Sequence, residues 1–312
     1  MIFIYFIVVV IGFIMLIKGA DFLVDGASSL AKKFKVSELV IGLTIVAFGT
    51  SAPELIVNIL ASLGDHHEIT FGNIIGSNVF NILVVLGIAG LIAPIVVKKN
   101  TVIKEMPFLL ISTIVVFGLS WLGQSLSRID GFILLGILAS FFIYIFGILK
   151  ENPLEGDDIK IFSTIQTIFL ISIGMMGLFI GGTLVVDNSV KIAKMLNVSE
   201  KLIGLTIVAL GTSLPELVTS VVAVRKKRFD LAIGNVIGSN IFNSLLVLGV
   251  TSLIQPIKYF PALNVDFSIL LIVTIILFFS MFVGKKHRIY KSEATFFLLI
   301  YGGFLFYLIR RG

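Results

Sequence analysis

Residues 36–55 read VSELVIGLTIVAFGTSAPEL, and residues 198–217 read VSEKLIGLTIVALGTSLPEL. Sixteen of the twenty positions are identical at a separation of 162. The same offset carries Gly72–Asn81 (GNIIGSNVFN) onto Gly234–Asn243 (GNVIGSNIFN), Pro94 onto Pro256 and Asp25 onto Asp187. Apolar segments resemble one another by chance in leucine and isoleucine. Chance does not repeat Gly, Thr, Ser, Pro, Glu and Asn at one ungapped offset. The chain is therefore a duplication, and its fold must accommodate two copies of one unit.

The surroundings of that unit are lipid. Of 312 residues, 57% are apolar and only 13% charged, against about 25% charged in a soluble domain. Too few polar groups remain to cover a water-facing surface. Apolar runs of spanning length fall at 2–29, 39–62, 70–96, 105–124, 130–149, 161–186, 201–223, 230–254, 266–284 and 294–309. The first has no basic residue before it and no small-residue cleavage site, so it reads as a span and not as a secretory signal. The absence of cysteine excludes disulfides and thiolate metal sites.

Net charge is +6, and the basic residues sit in short loops between spans, where they act as topology signals. Loops after odd-numbered spans hold 16 Lys and Arg, and the other side holds 7. The lysine-rich side is cytoplasmic, which places both termini outside the cell. Each copy of the repeat holds five spans. An odd number makes the second copy enter the membrane from the opposite side, so the repeats are inverted, a design suited to alternating access. Equivalent loops agree: Gly64–Glu68 is acidic or neutral, whereas Lys226–Asp230 is basic. The expected fold is an all-α integral membrane protein of ten helices. It divides into a first repeat (1–149), a short cytoplasmic linker (150–160) and a second repeat (161–312).

Two acidic residues, Glu54 and Glu216, fall well inside the second and seventh spans. A carboxylate at mid-bilayer costs at least a few kcal/mol and is rarely there without a partner or an aqueous path. Each closes a polar segment, Gly49-Thr50-Ser51-Ala52-Pro53-Glu54 and Gly211-Thr212-Ser213-Leu214-Pro215-Glu216. Pro53 and Pro215 remove a backbone donor and clash with the carbonyl four residues earlier, so each helix should kink or unwind just before its glutamate. Carbonyls freed at that depth are tolerated where they line a cavity. Ala47, Thr50, Ser51 and Glu54 share one helical face by spacing, as do Ala209, Thr212, Ser213 and Glu216. The following span supplies Asn73, Ser77 and Asn81, mirrored by Asn235, Ser239 and Asn243. Gly72, Gly76, Gly234 and Gly238 read as helix-packing positions. Every candidate ligand is an oxygen, and oxygen-only sites select hard cations such as Na⁺, Ca²⁺ or Mg²⁺. The histidines, His66, His67 and His287, all fall in loops.

These segments resemble the two alpha-repeats of the calcium/cation antiporter superfamily, most closely prokaryotic sodium/calcium exchangers. The alpha-1 motif spans 42–81 and the alpha-2 motif 204–243. The resemblance implies second, third, seventh and eighth helices broken around four adjacent cation positions. It also implies exchange of three Na⁺ for one Ca²⁺, and sliding of the first and sixth helices over an eight-helix core. By motif position the ligands would be Ala47, Thr50, Ser51, Glu54, Ser77, Asn81, Ala209, Thr212, Ser213, Glu216 and Ser239. Asn243 stands where several members, including potassium-dependent ones, have aspartate, which makes it a neutral ligand and speaks against potassium co-transport. Animal exchangers carry a large calcium-sensing region where this chain has about ten residues, so no such domain is expected. The expected setting is the cell (inner) membrane, with Na⁺ and Ca²⁺ as transported ions, no cofactor, and a monomer as the working unit.

Three other functions fit the residues less well. A Ca²⁺/H⁺ antiporter could use the same two glutamates, although the hydroxyl-rich GTS segments favour sodium. A cation channel does not need inverted repeats around paired buried carboxylates. An intramembrane hydrolase would need a base beside Ser51 or Ser213, and no histidine or lysine falls at that depth.

Overall fold

The computed structural model describes residues 2–99, 101–148, 159–198, 207, 209–282 and 287–311. Its helices are α1 (Ile2–Phe34), α2 (Glu38–Thr50), α3 (Ala52–Leu63), α4 (His67–Ile92), α5 (Thr101–Gly123), α6 (Arg128–Ile148), α7 (Thr164–Met195), α8 (Leu214–Arg225), α9 (Phe229–Ile254), α10 (Pro261–Ser280) and α11 (Lys291–Arg311). Among the described residues eight helices are long and apolar enough to cross a membrane, or nine if the bent pair α2–α3 is one span. The expected span 201–223 is described at residue 207 and from residue 209 onward, and most of the expected linker 150–160 lies outside the described residues.

Helices α4 and α9 form the centre. Their most apolar stretches are 83% and 78% buried inside the protein, against 17% for α1. The outer helices leave Leu, Ile and Phe exposed, as a lipid-facing surface requires. Both central helices run unbroken, with one π turn each, at Asn81–Val85 and Asn243–Val247. The expected break at these two helices is thus a local widening. Neither has an internal proline, and Pro94 and Pro256 follow their ends.

Helices α1 and α7 are longer than their apolar runs, at 33 and 32 residues. At 1.5 Å per residue each is about 50 Å long, well beyond a hydrocarbon core of about 30 Å, so both must tilt or emerge from it. They lie against each other at glycines. A Cβ on Gly19 would come within 2.8 Å of the Gly174 carbonyl oxygen, so their backbones nearly touch. Near one end the Ser29 and Thr167 hydroxyls meet at 3.1 Å.

Two short antiparallel ladders tie the halves together. β1 (Ile95–Val96) pairs with β4 (Arg288–Ile289), and β2 (Ser125–Leu126) pairs with β3 (Ile257–Lys258). The backbone repeats in register as the sequence does. The positive-φ residues Lys35 and Asn197 lie 162 apart, as do Asp65 and Lys227. At one face Lys226 reaches Asp25 at 2.7 Å and Asp21 at 3.3 Å, and Arg228 reaches Glu38 at 3.6 Å.

Four glycines expected to pack helices divide into two pairs. Cβ atoms on Gly234 and Gly238 would meet the Leu39 carbonyl oxygen and the Ala47 Cβ at 2.6 Å each, so α2 is seated directly on α9. At Gly72 and Gly76 no described atom lies within 4 Å of an added Cβ, and residues 200–208, which repeat the α2 segment seated on α9, fall almost wholly outside the described residues. Gly234→Ala should cost about 1–3 kcal/mol by overpacking. Thermal melts of this variant and the parent in one detergent check this, and an unshifted midpoint would contradict the packing.

Candidate ion site

The helix breaks at a serine. Ser51 has φ −84° and ψ 3°, and α2 and α3 meet there at 44°. In the second half Ser213 has φ −91° and ψ 7°, between one helical turn at Ala209–Gly211 and α8. The spacing that put Ala47, Thr50, Ser51 and Glu54 on one face assumed a continuous helix, whereas the chain turns a corner in the middle of that set. Pro53 and Pro215 sit in the first turn of the new helix, where a missing N–H removes no helical bond. The glutamates follow, also in the first turn, where the positive end of the helix dipole favours a carboxylate.

Both carboxylates are fully buried. None of the ion pairs found among the described residues includes either glutamate. Their donors are hydroxyls, and they cross between halves. Ser51 Oγ donates to Glu216 Oε1 at 3.2 Å, and Ser213 Oγ donates to Glu54 Oε1 at 3.2 Å. Ser77 Oγ adds a longer bond to Glu54 Oε1 at 3.4 Å. The Oε2 atom of each glutamate is buried with no hydrogen-bond partner. Two negative charges with half their oxygens unsatisfied are costly in a low-dielectric interior, and only cations or protons offset that cost.

The remaining expected residues gather around this pair. Thr50 donates through Oγ1 to the Asn235 side-chain oxygen at 3.0 Å and lies 3.2 Å from Ser239 Oγ. Asn235 Nδ2 donates to Ser220 Oγ at 3.0 Å and to the Glu216 carbonyl at 3.4 Å. Asn73 accepts from Ser77 Oγ at 3.1 Å. The Ala47 carbonyl takes the Ser51 N–H at 3.0 Å and the Thr50 hydroxyl at 3.3 Å. The Thr212 hydroxyl is buried without a hydrogen-bond partner. Asn81 and Asn243 are fully buried, each with an unpartnered side-chain oxygen. Ala209 lies in the helical turn before the second break.

Sequence reasoning passed over Asn58, Asn78 and Asn240. Asn58 Nδ2 holds the Glu54 carbonyl at 2.7 Å. Asn78 and Asn240 stand inside the duplicated GSN triplets at the same offset as the others. That duplication was the signal available, and the i, i+4, i+8 grouping hid it.

Among the described residues no three of His, Asp and Glu gather in one place. The donor set is therefore two carboxylates within a shell of neutral oxygens, suited to hard cations that come and go.

Comparison with known proteins points the same way. Residues 4–147 and 166–310 match the sequence model of the family described as sodium/calcium exchanger protein. The chain is 35% identical over 310 residues to inner membrane protein YrbG of Escherichia coli (strain K12), covering 96% of this chain and 94% of that one. It is 31% identical over 351 residues to sodium/calcium exchanger MaX1 of Methanosarcina acetivorans, covering 98% of each. A solved structure of the sodium-calcium exchanger NCX_Mj, soaked with 2.5 mM Na⁺ and 0.1 mM Ca²⁺, matches with a TM-score of 0.80 at 35% identity. That match covers 96% of this chain and 97% of the other.

A cation satisfying Glu54 and Glu216 must stabilise the folded protein. At 100 times its dissociation constant, a ligand contributes about 2.7 kcal/mol. Calcium should therefore raise the melting temperature of the purified protein by several degrees, and chelation should reverse the rise. The double variant Glu54→Gln, Glu216→Gln should melt at one temperature with or without calcium. A full calcium shift in that variant would place the ion elsewhere.

Proposed function

The chain belongs to the sodium/calcium exchanger protein family, and on that premise we propose that it exchanges Na⁺ for Ca²⁺ across the cell membrane by alternating access. The observation that carries this reading is the pair of buried carboxylates, Glu54 and Glu216, each hydrogen-bonded by a serine of the opposite half. The pair carries two negative charges, which neutralise one Ca²⁺. Sodium ions can occupy the same oxygens only after calcium has left. Competition for one shared charge couples the two fluxes.

In this reading the ligands are Glu54 and Glu216 with the oxygens of Ala47, Thr50, Ser51, Ser77, Asn81, Ala209, Thr212, Ser213, Ser239 and Asn243. Asn73 and Asn235 hold the shell, and Pro53 and Pro215 set the corners. Three Na⁺ move against one Ca²⁺, so each cycle transfers one net charge and responds to membrane potential.

The ten spans form two inverted repeats, 1–149 and 161–312, joined by a cytoplasmic linker, with both termini outside. The ladders support inversion. Strands β1 and β3 occupy equivalent repeat positions, but β3 pairs with β2. Helix α5 separates β1 from β2 by 23 residues, about 34 Å, so equivalent strands end on opposite faces. Alternating access is supported by the same ladders, because equivalent elements on opposite faces can exchange roles around one central site.

Radiotracer calcium uptake into liposomes holding the purified protein tests the proposal. An outward sodium gradient should drive uptake, and a membrane potential negative outside the vesicle should accelerate it. Glu54→Gln and Glu216→Gln should each reduce the rate to below about one-hundredth, because removing one partner of a buried charge cluster costs about 3 kcal/mol or more. Uptake that ignores sodium and follows a pH gradient would make H⁺ the coupling ion. Passive flux with no counter-ion would reject antiport.

A further inference from the structure

Four asparagines below the carboxylates form a closed set of side-chain bonds whose atom assignments are dictated by two backbone carbonyls. Asn240 Nδ2 lies 3.3 Å from the Asn78 carbonyl oxygen, and Asn78 Nδ2 lies 3.5 Å from the Asn240 carbonyl oxygen and 3.1 Å from Ser244 Oγ. A carbonyl only accepts, so the atom facing it must be the amide nitrogen. That orientation turns the other atom, Oδ1, of each residue the opposite way. Asn78 Oδ1 then meets Asn243 at 3.1 Å, and Asn240 Oδ1 meets Asn81 at 3.1 Å. An oxygen again demands a nitrogen opposite, so Asn81 and Asn243 must present Nδ2 there. Their own Oδ1 atoms are left over, and both are buried and unpartnered.

The placement of these two residues follows from helix geometry. Asn81 lies one turn after Ser77 on α4, and Ser77 donates to Glu54. Asn243 holds the same place after Ser239 on α9, and Ser239 meets Thr50. Both residues therefore stand on the faces that carry the site, each with one buried oxygen left for a cation.

We propose that Asn78 and Asn240 are positioning residues. Asn240 orients the amide of Asn81, and Asn78 orients that of Asn243, so that each presents oxygen and not NH₂ to the transported cations. An inverted amide would aim two N–H donors at a positive ion. In this chain the constraint matters doubly, because Asn243 is neutral and can contribute only if its oxygen is turned the right way. The bonds cross between halves, as the serine–glutamate bonds do. The proposal rests on the ion-site reading above and adds to it two residues that touch no ion.

A double-mutant cycle on the half-saturation concentrations for sodium and calcium in liposome exchange tests it. Asn240→Leu, close in size and unable to accept, should raise half-saturation about tenfold, as the loss of one oriented hydrogen bond allows. The maximal rate should change less. In an Asn81→Ala background, Asn240→Leu should add less than about twofold. In an Asn243→Ala background its full effect should remain. Asn78→Leu should show the reverse pairing. Effects that add equally in both backgrounds would overturn the assignment and leave the two residues as packing elements. If Asn81→Ala and Asn243→Ala both leave half-saturation unchanged, the ion-site reading itself fails. Should Asn240→Leu not fold, Asn240→Ala serves in the same cycle, because it too removes the oxygen that Asn81 meets; equal effects in the two backgrounds would again overturn the assignment.

Discussion

Two carboxylates with no cationic side chain paired to them among the described residues, held in a protein interior surrounded by lipid, are the constraint that the rest of the structure answers. Charge of that kind is tolerated only when something mobile neutralises it. The hydroxyls of Ser51 and Ser213 fix one oxygen of each glutamate and leave the other without a partner. Neutral oxygens fill the remaining directions without adding charge. The site is thereby complete in geometry and incomplete in electrostatics, which is what an ion that must leave again requires.

The backbone provides this arrangement with a few small departures from ideal helix. One serine per half takes non-helical angles and turns the chain, and proline then starts the next helix at no hydrogen-bond cost. One π turn per central helix begins at Asn81 and at Asn243, the two residues whose side-chain oxygens are free. Single-turn π segments recur at functional sites because they displace a side chain without breaking the helix. The surrounding helices α1 and α7 meet at glycines, which let their backbones approach closely.

Much of this was legible in the sequence, and the reasons are specific. Glu54 and Glu216 stood out because charge at that depth is expensive, and Ser51 and Ser213 because they repeat beside them. Proline announced the corners. The asparagines Asn78 and Asn240 were equally duplicated, yet helical spacing placed them off the face of Asn73, Ser77 and Asn81. Their role depends on contacts between α4 and α9, which no single-helix pattern contains. The tiny ladders β1–β4 and β2–β3 were invisible because two-residue strands leave no periodic signal.

The crossing of bonds between halves bears on coupling. If each glutamate were held by its own half, moving one half would carry an intact ligand set with it. Here Glu54 depends on Ser213, Glu216 on Ser51, Asn81 on Asn240 and Asn243 on Asn78. A displacement of either half therefore alters the shell around both carboxylates at once. In the proposed exchange cycle, the number and orientation of oxygens that a bound ion meets would change with the relative position of the halves. Ions of different charge and coordination demand then favour different positions of the halves, and discrimination between them is linked to which side of the membrane the site faces.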